Sequence, residues 1–230
     1  MTGQAIAAEL IKLRTLPAAW ITSLVTVVTA VVVTAATASS NTDPAADAVT
    51  IALGSVAFLQ VGTIVLGVVG VASEYGGHEL RTTLTAVPNR IVSLAGQAVA
   101  HLIATTVTSV AALGAAVATA WATEPPRASL WRVAGAAAYL VLVGLLAAAV
   151  TVVVRSLVPA LVLMFGGVIV ASPLLATVTD QSRWLPDQAG RALYAADPGS
   201  FGPAGGTAVL LVWLLCTGTA AVVCFVSRDA

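Results

Sequence analysis

The fold is decided by the stretch VAGAAAYLVLVGLLAAAVTVVV, residues Val133–Val154. This stretch carries no charged residue and is long enough to cross a bilayer. A membrane-spanning α-helix needs about 20 mostly apolar residues. A transmembrane β-strand would instead alternate apolar and polar residues over about ten positions. This stretch is continuously apolar, so the sequence predicts a helix here.

Five other stretches resemble it in length and composition, and none carries an acidic residue or a lysine in its interior. These predicted spans are approximately Ala18–Ala38, Val49–Ser73, Ile91–Ala122, Leu157–Val178 and Thr207–Val226. We therefore predict an all-α integral membrane protein with six transmembrane helices, folded as a single transmembrane domain over residues 1–230.

The composition supports a membrane protein and excludes some other classes. Apolar residues make up 59% of the chain and charged residues 9%, whereas soluble domains are about 45–50% apolar and about 25% charged. Ten basic and ten acidic residues cancel, so there is no electrostatic case for a nucleic-acid partner. Cys216 and Cys224 would lie about 12 Å apart along one helix, beyond the reach of a disulfide.

The distribution of cations predicts the orientation of the chain. Six spans place both termini on the same side as residues 74–90 and the turn at Arg155. That side holds six cations and the opposite side four, while the acidic residues are biased the other way. Because cytoplasmic connections are enriched in Lys and Arg, we expect both termini in the cytoplasm.

An alternative interpretation of the N-terminus is a cleaved secretory signal. Lys12 and Arg14 precede an apolar run, and Ala36-Thr37-Ala38 could form a cleavage site, which would leave five spans. The apolar run is longer than the usual signal core, and Glu9 is unfavourable in the basic region before it. Both observations favour a membrane span.

The segment Gly3–Leu16 precedes the first span and is too polar to cross the bilayer. Its apolar residues recur at helical spacing, with polar residues elsewhere on the helical wheel. We predict an amphipathic helix along the cytoplasmic face, with three candidate site residues, Glu9, Lys12 and Arg14. The alternative is a simple flank whose cations orient the first span.

The connection between the second and third spans has a helical pattern of its own. Gly76-Gly77 ends the preceding span, and Pro88 stops any helix that begins near His78. Leu80 and Leu84 fall on one apolar stripe, which suits docking into a groove on a partner. The alternative is a loop that rests on the lipid headgroups.

The string EYGGHELRTTLTAVPNR, residues 74–90, resembles the cytoplasmic loop of ABC-2-type permeases, the membrane subunits of a class of ATP-binding cassette exporters. The matching positions are Glu74, Tyr75, Leu80, Arg81, Thr82, Thr83, Leu84, Pro88 and Arg90. The N-terminal AELIKLRTLPAAW (Ala8–Trp20) is also similar to the entry of that family into its first span. Residues 76–79 depart from the basic-Gly-Thr run usual there.

The resemblance implies that residues 74–90 hold a coupling helix that docks on a separate P-loop ATPase subunit. The implied contact residues are Glu74, Tyr75, Glu79, Leu80, Arg81, Thr83, Leu84, Pro88 and Arg90. It also implies a second membrane subunit, identical or homologous, in the cytoplasmic membrane of a bacterial cell. ATP and Mg²⁺ would then be used by the partner, with no cofactor bound by this chain.

Motifs for catalysis are missing from the sequence. The chain has one lysine, Lys12, and no GxxxxGK[ST] loop, so it cannot hydrolyse ATP in the P-loop manner by itself. Neither HExxH nor GxSxG occurs. We predict no catalytic residue, no metal site and no enzymatic activity of the isolated chain.

Two polar residues within the predicted third span, Gln97 and His101, are candidates for a substrate path or for hydrogen bonds between helices. No acidic residue lies inside a predicted span, which argues against coupling to protons or Na⁺. The connection Thr179–Gly206 has an apolar stripe, and it could either re-enter the outer leaflet or rest on the headgroups. The stripe consists of Leu185, Ala189, Ala192, Leu193 and Ala196.

These features predict the membrane-spanning permease subunit of an exporter that moves a hydrophobic or amphipathic substrate outward. The alternative is a membrane anchor or assembly subunit that recruits a cytoplasmic partner without transport. Dependence of ATP turnover on the 74–90 loop would distinguish the two.

Overall fold

A computed structural model describes residues 11, 15–41, 47–75, 90–123, 130–197 and 202–227, with Glu74 and residues 90–93 described by their backbone alone. All regular secondary structure in these ranges is helical. The α-helices are α1 Pro17–Ser40, α2 Ala48–Leu53, α3 Val56–Tyr75, α4 Arg90–Trp121, α5 Trp131–Val154, α6 Leu157–Met164, α7 Ser172–Ala176, α8 Pro186–Arg191 and α9 Gly202–Ser227. A π-helix, Phe165–Ala171, joins α6 to α7, and a 3₁₀ helix, Asp180–Trp184, precedes α8.

Within the described residues, six helical runs are long and apolar enough to cross a membrane. They are α1, Val56–Ser73 of α3, Leu94–Trp121 of α4, α5, the continuous run Leu157–Ala176, and α9. For the part of the chain that the structure describes, this confirms the prediction of helical structure with six such helices, and it indicates a multi-pass membrane protein.

The second predicted span differs from the structure at its start. Helix α2 ends at Leu53, and α3 begins only after a turn at Gly54 and Ser55. The Asp47 side chain accepts a hydrogen bond of 2.9 Å from the backbone N–H of Thr50, which caps α2. Because α2 is as apolar as α3, hydropathy alone merges the two helices.

Hydroxyl side chains within the spans bond to the backbone of their own helices. Thr22, Thr105 and Thr151 each donate a hydrogen bond of 2.7 Å to the carbonyl four residues earlier. The hydroxyls of Ser23 and Thr108 lie 3.0 Å apart and join α1 to α4. These bonds let polar residues sit in spans where water is scarce.

Helices α3 and α5 form the centre of the bundle and contact each other most extensively. Helices α1 and α4 pack together and against α3, whereas α9 packs on α5, and α6 contacts both α3 and α5. Leu59, Ile64 and Leu140 are fully buried between them. Large apolar side chains on the outer faces, including Leu24, Val162 and Leu215, are exposed, as expected for a surface in contact with lipid.

Two arginines mark the opposite ends of the bundle. At one, which we call the Arg155 end, the Arg155 guanidinium donates a 3.0 Å hydrogen bond to the Cys224 carbonyl, and its carbon lies 5.8 Å from the centroid of the Tyr75 ring. At the other, the Arg132 end, Arg132 donates to the Thr50 hydroxyl at 3.3 Å. The ends of α3, α5 and α9 therefore meet at the Arg155 end.

The π-helix changes the register of the fifth span. The backbone N–H of Ser172 donates to the carbonyl of Gly167, five residues earlier. Pro173 follows, and a proline lacks the N–H that a regular helix requires and crowds the preceding turn. A π turn accommodates that proline, and Ser172 is buried.

Candidate functional site

A buried carboxyl group, Asp187, lies at the Arg132 end in the first turn of α8. Pro186 occupies the first position of α8, and Leu185 before it has the extended backbone typical of a residue that precedes proline. This turn directs Asp187 into the bundle, where the residue is only 4% exposed. An acidic residue buried to this degree needs hydrogen-bond partners.

The partners of Asp187 come from two spans and from α8 itself. Its Oδ1 atom lies 3.2 Å from the Tyr139 hydroxyl of α5. Its Oδ2 atom accepts a 2.8 Å bond from Gln188 Nε2 and a 3.4 Å bond from the Ser172 hydroxyl. Arg191 Nε is 3.9 Å from Oδ2, and the Arg191 side chain is half exposed, so this ion pair is weak.

Tyr139 extends the cluster to a third span. Its hydroxyl makes a short hydrogen bond to the Oε1 atom of Gln60 on α3, and both side chains are buried. We call Gln60, Tyr139, Ser172, Asp187 and Gln188 the Asp187 cluster. It joins α3, α5 and α7 to α8.

The surroundings of the Asp187 cluster favour the neutral carboxyl. Burial raises the pKa of Asp187 above its ordinary value of 3.8, and Arg191 and the hydrogen bonds from Tyr139 and Ser172 only partly oppose it. Burial also raises the pKa of Tyr194, which stacks near Tyr139, to about 12.

Further contacts fasten the segment 177–197 to the spans. Gly190 lies against Tyr139 so closely that a Cβ at position 190 would overlap the ring. Arg132 donates a 2.9 Å bond to the Tyr194 carbonyl, and Trp213 of α9 donates a 2.8 Å bond to the Trp184 carbonyl. In the apolar stripe predicted for this connection, the three central residues are buried, Leu185 is half-buried and Ala196 is exposed.

No protein-family model matches the chain, and no curated protein matches it with significant similarity.

A second feature is a groove of about 450 Å³ between α4, α5 and α9. Apolar side chains line almost all of it, and Gln97 and His101 stand on its wall. His101 Nδ1 donates a 2.9 Å hydrogen bond to the Gln97 carbonyl, and its ring lies against α3 where Gly70 leaves room. Such a groove can hold a hydrocarbon chain beside two polar side chains.

The structure places few of the predicted coupling residues. Tyr75 ends α3 beside Arg155, while Glu74 and Arg90 are described by their backbone alone. The others lie outside the described residues, namely Glu9, Lys12, Arg14, Glu79, Leu80, Arg81, Thr83, Leu84 and Pro88. Among the residues that the structure describes, no group of three or more His, Cys, Asp or Glu could hold a metal ion.

The Asp187 cluster was not predicted from the sequence. Two of its residues could have been found from the sequence, because Gln60 and Tyr139 are isolated polar groups within long apolar runs. The sequence did not indicate that Asp187 is buried, because it lies in a polar connection where an acidic residue is ordinarily solvated.

Proposed function

We propose that this chain is the membrane-spanning permease subunit of an ATP-binding cassette exporter, driven by a separate P-loop ATPase subunit. The observation that carries the proposal is the 74–90 motif together with the position of its second residue, Tyr75. This residue belongs to the motif and also packs against Arg155 at the end of the bundle. A force applied to the motif would therefore reach the spans directly.

The contacts of Arg155 support this route of coupling. Arg155 follows α5 immediately, contacts Tyr75 of α3, and donates to the Cys224 carbonyl of α9. A partner that moved the 74–90 loop would displace these three helices together. This arrangement suits the conversion of ATP-driven closure into a change among the spans.

The groove between α4, α5 and α9 supports a hydrophobic or amphipathic substrate. Its wall is apolar apart from Gln97 and His101, so it offers dispersion contacts and little charge selectivity. In this proposal the Arg155 end faces the cytoplasm of a bacterial cell, and a second membrane subunit, identical or homologous, completes the path. ATP and Mg²⁺ bind the partner ATPase.

The coupling can be tested with the P-loop ATPase that co-purifies with the tagged full-length chain. We expect Leu80→Asp or Leu84→Asp to weaken that association by about tenfold or more, because each places an unpaired carboxylate in an apolar contact. Thr85→Asp is the matched control, since it adds the same charge on the opposite face of the predicted helix. The measurements are the dissociation constant and the ATP turnover of the reconstituted complex.

Two results would contradict the proposal. One is ATP turnover that is equal for the wild type, Leu80→Asp and Thr85→Asp, which would leave a recruiting anchor as the better description. The other is recovery of the intact, folded chain from native membranes without any nucleotide-hydrolysing partner.

A further inference from the structure

The Tyr139 hydroxyl lies between two oxygen atoms, and it has only one proton to donate. On one side is Gln60 Oε1, which can only accept a hydrogen bond, and on the other is Asp187 Oδ1 at 3.2 Å. If the tyrosine proton is shared with Gln60, the contact with Asp187 needs a proton from the carboxyl group. The other carboxyl oxygen, Oδ2, already accepts from Gln188 and Ser172.

We propose that Asp187 is a proton-binding site, and that its neutral carboxyl fastens α8 to the spans. With a proton on Oδ1, every hydrogen bond of the cluster has one donor and one acceptor. In this protonated form Asp187 would donate to Tyr139, the reverse of the Tyr139-to-Oδ1 bond that the charged carboxylate accepts. Tyr139 then donates to Gln60, and Oδ2 accepts from Gln188 and Ser172. Loss of the proton leaves a buried anion with two oxygens competing for the Tyr139 proton, which favours release of α8 into water.

The groups that face Asp187 from each packed element offer little compensation for a negative charge. From α3, α5 and α7 these are Gln60, Tyr139 and Ser172, of which only Tyr139 can titrate. Helix α9 packs on α8 and carries no Asp, Glu, Lys, Arg or His between Gly202 and Ser227. The segment 177–197 contributes Tyr194 and the half-exposed Arg191.

The direction of the pH response follows from the environment of the carboxyl. Because burial raises the pKa of Asp187 in the docked form, docking is fully stabilised below the ordinary value of 3.8. It weakens as the pH rises through the raised value. A single proton changes the docked-to-released ratio by at most about tenfold per pH unit. A lower pH therefore favours the docked segment, and a higher pH favours its release.

Two measurements on the full-length protein in lipid nanodiscs test the site. In the difference between the wild-type and Asp187→Asn spectra, the infrared C=O band of one protonated carboxyl should be present in acid, should persist above the ordinary pKa value of 3.8, and should disappear on a further rise in pH. Hydrogen exchange of residues 186–195, corrected for the intrinsic rate, should increase with pH in the wild type and stay constant in Asp187→Asn. Asp180→Asn, at an exposed carboxylate of the same connection, is the matched control and should behave as the wild type.

A second variant keeps the test decisive if Asp187→Asn does not fold. Gln60→Leu removes the competing acceptor, so Tyr139 becomes free to donate to the ionised carboxylate, and the pH at which the Asp187 carboxyl band disappears should become lower. Absence of that band from the difference spectrum, or its loss at or below pH 3.8, would overturn the proposal. So would the same pH dependence of exchange in the wild type and Asp187→Asn, or a carboxyl band that disappears at the same pH in the wild type and Gln60→Leu.

Discussion

Arg155 stands at a backbone position that is costly for it. Its φ of 57° is in the left-handed region, and within the described residues it is the one non-glycine residue with positive φ. Glycine would occupy this position about 1 kcal/mol more favourably. The side chain offsets that cost through its bond to the Cys224 carbonyl and its contact with the Tyr75 ring.

Substitution of Arg155 can separate these two contributions. We expect Arg155→Ala to lower the free energy of unfolding by about 2 kcal/mol, because it loses both contacts and keeps the left-handed backbone. Arg155→Gly loses the same contacts but relieves the backbone, so it should be less destabilised by about 1 kcal/mol. Unfolding of the two variants in mixed detergent micelles measures the difference. Equal stabilities would mean that the turn relaxes when the arginine is removed.

At the scale of elements, α8 depends on a close approach to α5. Gly190 faces the Tyr139 ring with no room for a methyl group. We expect Gly190→Ala to destabilise the docked segment by about 1–3 kcal/mol, the usual cost of overpacking. Hydrogen exchange of residues 186–195 should then increase at every pH.

Gly218→Ala in α9 is the matched control for Gly190→Ala. A Cβ at position 218 meets no atom within 4 Å, so the same change should leave exchange of residues 186–195 unaltered. An equal effect of both substitutions would show that the segment responds to the bundle as a whole rather than to the Tyr139 contact.

The sequence predicts long helices such as α5 well, but it does not predict the breaks and turns within the spans. A long apolar run fixes the existence of a span, so α5 was predicted within two residues of its observed start. The break between α2 and α3 depends on a capping bond from Asp47, and the π turn depends on Pro173 and on the packing around it. Hydropathy averages over such local bonds and cannot detect them.

At the scale of the whole molecule, the two ends of the bundle should face different compartments. The proposed orientation places the Arg155 end in the cytoplasm and the Arg132 end outside. In a variant with Cys216 and Cys224 replaced by serine, a single cysteine at position 180 should react with a membrane-impermeant thiol reagent in intact cells. A cysteine at position 156 should react only after permeabilisation, although both native residues are exposed.

The reverse labelling pattern would place the 74–90 motif outside the cell and would contradict the coupling proposal. Labelling of both positions in intact cells would instead show that one of the six helical runs does not cross the membrane.

The whole-molecule architecture was more predictable than the Asp187 cluster. Six apolar runs follow from composition and length alone. The cluster instead joins Gln60, Tyr139, Ser172 and Asp187, which are up to 127 positions apart in the chain. Their proximity depends on how the helices pack, and that information is absent from any local pattern.

The short connection after α5 has a mechanical consequence. Only Arg155 and Ser156 separate α5 from α6, so these helices share a pivot at one end. Tyr139 precedes the pivot by 16 residues and Ser172 follows it by 16, which gives two lever arms of similar length, each about 24 Å. A change of about 5° in the angle between them would shift the far ends by about 2 Å, enough to break hydrogen bonds that require heavy atoms within about 3.2 Å. Asp187 is hydrogen-bonded to both helices at the ends far from this connection. A small rotation at Arg155 therefore produces its largest displacement at the residues that Asp187 joins.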